Sequence, residues 1–385
     1  MNNKIHSLFI LLLIFFLAVN NSSAQEEILF RRHIINSGVN GVFYGVAIDI
    51  IAELDGGAAA GVPLITAGGS MLLPLITNRE RNIDYDALVL NNHGKTIGWG
   101  HGFALASLVA GENAWKGVKE EDSTSNNYKY TVGFGALSSI GLGILGYSLA
   151  RNNEWSEGQV ELYRLYGWIM PYTGFSLMAS FSDEPRLYGA SVLLFGAGGY
   201  LLADRVNNWY EYTRGDMRAT QVLTGLNFGL GWGIFADIME GEDLEDPQTP
   251  YWLIPAAGAL SGTLAGHFWL KNKNLTPRQG MLTVYAASGG AILGLGVALI
   301  TNSENITPYY LIPYATSLTA YAVTVELLGR KNKSQVFLPE KKNNNFNFTF
   351  MPQSLFFNNF IQKSGHLGNW GALSMQPLFT ASLKF

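Results

Sequence analysis

The chain has 385 residues, 48% of them hydrophobic and only 14% charged, with a formal net charge of −4. Its 44 glycines raise the apolar-plus-glycine share to roughly 59%, against about 45–50% in soluble domains, where about 25% of residues are charged. So few charges exclude a disordered chain and a charge-rich nucleic-acid binder, and they weigh against a single water-soluble globule.

Residues 1–24 read as a secretory signal peptide. Lys4 supplies the positive start, Leu8 to Val19 a twelve-residue apolar stretch, and Ser22-Ser23-Ala24 a small-residue cleavage site. Twelve residues are too few to cross a bilayer core of about 30 Å as a helix, which takes about 20. The mature chain is expected to begin at Gln25. There is no cysteine, which excludes a lipoprotein anchor, disulfides, thiolate metal ligands and a cysteine nucleophile.

Ten apolar stretches of 16 to 23 residues follow, at 39–54, 57–77, 95–111, 130–150, 160–181, 187–203, 217–239, 251–270, 281–300 and 309–328. Several contain no Asp, Glu, Lys or Arg at all, which fits membrane-spanning helices better than surface helices with a charged face on every turn. The expected fold is mainly α: about ten Gly-rich helices in tandem hairpins, embedded in a membrane over residues 25–330. A transmembrane β-barrel is the alternative, but its strands alternate apolar with polar residues, and Met281 to Ile300 shows no such alternation.

The second half repeats itself. Ser156-Glu157-Gly158-Gln159, Thr213-Arg214-Gly215-Asp216 and Thr276-Pro277-Arg278-Gln279 each place a hydroxyl N-cap before an apolar run, at spacings of 57 and 63 residues. Eighteen residues beyond each cap stand Gly174, Gly231 and Gly294, and the second segment of each copy opens at Pro185, Pro250 or Pro308. This describes a helical-hairpin repeat of about 60 residues. An earlier echo is Gly45-Val46-Ala47-Ile48-Asp49-Ile50 beside Gly233-Ile234-Phe235-Ala236-Asp237-Ile238. Gly225, Gly229 and Gly233, like Gly258, Gly262 and Gly266, recur every fourth residue and share a helix face, as packing of helix backbones in a bilayer requires.

From 331 to 385 a basic, Asn-rich linker leads to alternating Phe346, Phe348 and Phe350 and to an alternating apolar end, which together predict a small β-hairpin. The closing run from Leu378 to Phe385 resembles the last strand of bacterial outer-membrane barrel proteins, a likeness confined to these few residues; a plain surface hairpin fits equally. Connector charges add a topological conflict. More bases lie on the side shared by both termini, which by the positive-inside rule should face the cytoplasm, whereas a cleaved signal peptide leaves the mature N-terminus outside it. A cell-envelope location in the outer rather than the inner membrane removes the conflict.

Chemistry has little support. Gly141-Leu142-Gly143-Ile144-Leu145-Gly146 matches a dinucleotide fingerprint but lies inside an apolar stretch rather than a βαβ unit. Gly94-Lys95-Thr96 lacks the first P-loop glycine, since Val89 stands there, and Arg214-Gly215-Asp216 reads as a cap rather than an adhesion tripeptide. The six histidines have no metal-ligand spacing. No enzyme activity, cofactor or metal is expected. The ionisable residues within or at the ends of apolar stretches, Asp49, Glu53, Asp237 and Glu326, are candidates for a transport pathway. The function expected is non-catalytic: a structural or partner-binding scaffold in the bilayer, with envelope proteins or copies of itself as partners and no nucleic acid. A transporter or pore using the four acidic residues is the alternative.

Overall fold

The structure, a computed structural model, describes residues 25–77, 84–116, 127–241, 250–334, 345–350 and 379–384. The expected signal peptide lies outside them. Among the described residues the chain forms ten α-helices: α1 (Gln25–Ala52), α2 (Gly56–Thr77), α3 (Tyr85–Ala110), α4 (Asn127–Asn152), α5 (Glu157–Ala179), α6 (Pro185–Trp209), α7 (Arg214–Gly241), α8 (Leu253–Leu270), α9 (Pro277–Thr301) and α10 (Thr307–Ser334). The barrel alternative is overturned, because the 20-residue apolar stretches close their backbone hydrogen bonds within helices, as a bilayer demands.

Seven helices carry a stretch long and apolar enough to cross a membrane: α1, α2, α4, α6, α7, α9 and α10. The expected number was ten. Of the three that fall short, α8 has only 18 residues, with His267 among them, and α3 and α5 carry Asn91, Asn92, His93 and Lys95, and Glu161 and Arg164, respectively. Neighbouring helices flank both: α3 packs on α1, α4, α5 and α6, and α5 on α3, α6, α7 and α8. Polar groups in a membrane protein face such an interior. Helices α1, α3 and α4 also start before the apolar stretches read from composition, at 25, 85 and 127 instead of 39, 95 and 130.

Successive helices pair as hairpins, α1 with α2, α3 with α4, α5 with α6 and α7 with α8. Between α9 and α10 the Thr316 hydroxyl donates to the Gly290 carbonyl, 2.7 Å. The first helix of each hairpin also touches both helices of the next. Thus α1 meets α3 and α4, α3 meets α5 and α6, and α5 meets α7 and α8. Likewise α7 meets α9, and its Ala219 carbonyl accepts from the Tyr321 hydroxyl of α10 at 3.1 Å.

The helix starts lock this stacking. Ser156 Oγ accepts from the Gln159 N–H at 3.1 Å, and Thr276 forms a full capping box with Gln279. Asp216 fills the same role at α7 and reaches beyond it: its carboxylate accepts from the Thr213 hydroxyl at 2.8 Å and from the Leu275 N–H of the next connector at 2.9 Å. Arg214-Gly215-Asp216 is therefore a buried structural corner.

Glycine sets the hairpin seams. Gly258, Gly262 and Gly266 of α8 lie on Asn227, Leu223 and Thr220 of α7. Gly174 lies against Ser191 and Phe195, Gly231 against Pro255, Gly294 against Pro313, and Gly233 under the Tyr310 ring. Gly225 and Gly229 correct the expectation: a Cβ there would meet nothing within 4 Å, because α7 turns Leu223, Thr224, Asn227 and Gly231 toward α8 instead. Two seams were not foreseen, Gly38, Gly41 and Gly45 of α1 on α2, and Gly94, Gly98 and Gly102 of α3 on α4.

The first compact unit ends at Asn332 and the second spans Lys333–Phe385. In the second, β1 (Asn345–Phe350) pairs antiparallel with β2 (Phe379–Lys384), with Phe346 opposite Leu383, Phe348 opposite Ala381 and Phe350 opposite Phe379.

Candidate functional site

The odd-numbered helices run parallel, since residues at matching turns meet. Near their starts Arg218 of α7 reaches Glu161 of α5 and Tyr85 of α3. Farther along, Phe228 of α7 packs edge-on against Tyr172 and Trp168 of α5, with ring centroids 5.0 and 6.4 Å apart. Between α1, α3, α5 and α7 lies a cavity of about 1040 Å³, at the upper limit of the roughly 300–1,000 Å³ usual for small-molecule sites.

Its lining follows helical spacing on each wall. On α1 the stripe is Arg32, Asn36, Asn40, Phe43, Ala47 and Ile50, a length of roughly 27 Å at 1.5 Å per residue. On α3 it runs from Tyr85 through Asn92, His93 and Thr96 to Trp99 and Phe103; on α5 from Arg164 to Trp168 and Tyr172; on α7 from Arg218 and Gln221 to Phe228. On α1, α5 and α7 the stripe passes in the same direction from charged or polar to apolar, whereas α3 opens on Tyr85, Leu88 and Val89, carries Asn92, His93 and Thr96 in its middle and then turns aromatic. The cleft is therefore amphipathic along its length. Among the described residues three arginines line its polar end and no carboxylate does.

One buried carboxylate organises that end from behind. Glu161 is 0% exposed. Its Oε2 stands 3.1 Å from Arg164 Nη1 and accepts from Gln221 Nε2 at 2.8 Å. Its Oε1 accepts from the Tyr85 hydroxyl and lies 3.8 Å from Arg218 Nε. Arg214 covers the Tyr85 ring, its guanidinium carbon 3.6 Å from the centroid, and pairs with Glu157 at 3.4 Å. Burial, then Glu161, raise the Tyr85 phenol above its ordinary pKa, which keeps it a donor.

Asp86, in the first turn of α3 ahead of the apolar stretch, sits beside this cluster. Burial raises its pKa from 3.8 to about 6, Glu157 and Asp84 add to the shift, and Arg214 opposes it. A raised carboxyl pKa means that ionisation opposes folding: the contribution of Asp86 to stability is complete below pH 3.8 and lost as pH rises through about 6. Asp86→Asn is thus expected to raise the melting temperature at pH 7.5 and to change it little at pH 3.5. Thermal unfolding of the detergent-solubilised protein at both pH values checks this, and equal shifts at the two would contradict it.

The four acidic pathway candidates stand apart, and none lines the cleft. Asp49 is near the end of α1. Glu53 lies past that helix with φ +53° and pairs with Lys129. Asp237 accepts from the Thr307 and Tyr310 hydroxyls of α10 at 2.9 and 3.0 Å. Glu326 accepts from Trp269 Nε1 at 3.0 Å and Lys273 Nζ at 2.9 Å. Three of the four therefore hold neighbouring segments together.

Sequence reasoning missed Glu161, Arg164, Arg218 and Gln221. A signal was present: Glu161 and Arg218 are 57 residues apart, as are Arg164 and Gln221, the same spacing as the caps Ser156 and Thr213. Positions 161 and 218 thus carry opposite charges at the spacing of the caps.

Seven helices able to cross a bilayer and an amphipathic cleft between parallel helices define a helical membrane protein. No protein-family model, curated protein or solved structure matches the chain.

Proposed function

We propose that the protein is a non-catalytic binding scaffold of the cell envelope, residing in the outer membrane and holding one elongated amphiphilic molecule in the cleft between α1, α3, α5 and α7. The observation that carries this reading is the shared polarity of the stripes on α1, α5 and α7, which match a molecule with a polar head and an apolar tail. The length of the cleft, roughly 27 Å, is close to the bilayer core thickness of about 30 Å, which suits a molecule taken from the membrane itself.

The test is extraction of bound lipid from the detergent-purified protein, wild type and Gly225→Trp. Gly225 lines the cleft with nothing within 4 Å of its added Cβ, so an indole there fills the cavity without crossing a helix seam. The wild type is expected to yield one amphiphile per chain, and the variant to lose it at an unchanged melting temperature. Retention of the molecule by a folded variant would overturn the proposal. Fractionation with N-terminal sequencing should recover a chain starting at Gln25 in the outer membrane.

A further inference from the structure

The cleft has a charge imbalance at one end. Arg32, Arg164 and Arg218 line it, whereas Glu161, the carboxylate paired with two of them, does not, so among the described residues the lining carries three positive charges and no negative one. Of the acids nearby, Glu157 pairs with Arg214, and Asp86 is not part of the lining. Each guanidinium offers five N–H donors in a planar fork. On Arg164, Nη1 faces Glu161 and Nη2 reaches Gln221 Oε1 at 3.5 Å; on Arg218, Nε faces Glu161 and Nη2 reaches the Tyr85 hydroxyl at 3.4 Å. Donors remain on both, and one carboxylate fixes both forks in place.

We propose, resting on the cleft reading above, that the molecule bound is a phosphate-headed amphiphile, its phosphate held between Arg32, Arg164 and Arg218 and its hydrocarbon lying along Phe43, Trp99 and Phe228. A phosphate monoester carries about −1.5 to −2 charge at neutral pH, which suits a lining with three guanidiniums, and its oxygens accept the bidentate contacts that guanidinium forks make best. The turns just beyond the arginines supply Asn36, Asn40, Asn92 and Thr96, neutral partners for a hydroxylated linker such as glycerol. Beyond them the lining turns aromatic, and the Trp99 indole N–H there has no partner among the described residues. Phe43 and Trp99, with centroids 6.4 Å apart, form one wall of the tail region.

The experiment uses the full chain in a neutral detergent, offered equal amounts of lysophosphatidic acid and lysophosphatidylcholine with the same acyl chain, with bound molecules counted by native mass spectrometry. Lysophosphatidic acid is expected to be retained about tenfold over the zwitterionic probe, the loss of one charge-assisted contact being worth about that factor. Arg164→Gln and Arg32→Gln are each expected to bring the ratio toward one. Arg32 has no ion pair among the described residues, so its variant tests the headgroup without disturbing the Glu161 cluster. Equal retention of the two probes by the wild type, or an unchanged ratio in both variants, would overturn the phosphate assignment and leave the cleft reading standing. Retention of both probes by Gly225→Trp would overturn the cleft reading itself. Displacement of lysophosphatidic acid by an equal concentration of inorganic phosphate would show a free-anion site and also overturn the assignment.

Discussion

Glu161→Ala is expected to lower the melting temperature of the solubilised protein sharply, at a cost of about 3–5 kcal/mol, because removing one partner of a buried ion pair strands the other. Glu161 is fully buried, and its removal would leave Arg218, 9% exposed, without a counter-charge and Gln221 with only the longer bond to the backbone carbonyl of residue 161, 3.3 Å. The contrast is Glu326→Ala. Its pair with Lys273 is exposed, where such pairs contribute about 0.2–1 kcal/mol, and its melting temperature should change little. Replacing both Glu161 and Arg218 with leucine should recover much of the loss, since an apolar pair of comparable volume avoids the cost of buried charge. The double variant should also fail to discriminate lysophosphatidic acid, because the fork that faces the cleft is gone. Thermal unfolding of the three variants decides the matter: equal melting temperatures for Glu161→Ala and Glu326→Ala would mean that the cluster does not hold α3, α5 and α7 together.

The hairpin plan was legible because its signals are local. Caps at Ser156, Thr213 and Thr276 mark where helices start, and glycines every fourth residue mark a flat face, whatever the rest of the chain does. Which neighbour a face meets is not local information. Gly225 and Gly229 have the same spacing as Gly258 and Gly262, yet α8 packs on α7 along Leu223, Thr224 and Asn227, and the two glycines are left facing open space. The cleft was hidden for a related reason. Hydropathy averages over all faces of a helix, so the polar starts of α1 and α3 fell outside the apolar stretches although their polar residues line a single stripe. The charges singled out from sequence were those deepest in, or at the ends of, apolar stretches, and Glu53, Asp237 and Glu326 prove to bind neighbouring segments. The charges that shape the cavity sit one or two turns after a cap, where a charge looks like an ordinary helix start.

Gly98→Ala and Gly229→Ala, the same exchange on two helices, should have opposite results. A Cβ at Gly98 would stand 2.4 Å from the Ser139 Cα and 2.7 Å from the Ser138 carbonyl oxygen, both backbone atoms that cannot swing away. Overpacking of this kind costs about 1–3 kcal/mol when side chains can adjust, and more where only helix separation relieves it. At Gly229 the added methyl enters open space, and alanine is the better helix former by about 1 kcal/mol. Gly98→Ala should therefore lower the melting temperature by several degrees, and Gly229→Ala should hold or raise it. The consequence extends to binding, because α3 carries the glycine seam on one face and Asn92, Thr96, Trp99 and Phe103 of the cleft on another. Pushing α3 off α4 moves that wall of the cleft, so Gly98→Ala should also retain less amphiphile at temperatures where it is still folded. A variant with normal stability and normal retention would show that the close approach of α3 and α4 contributes nothing to either.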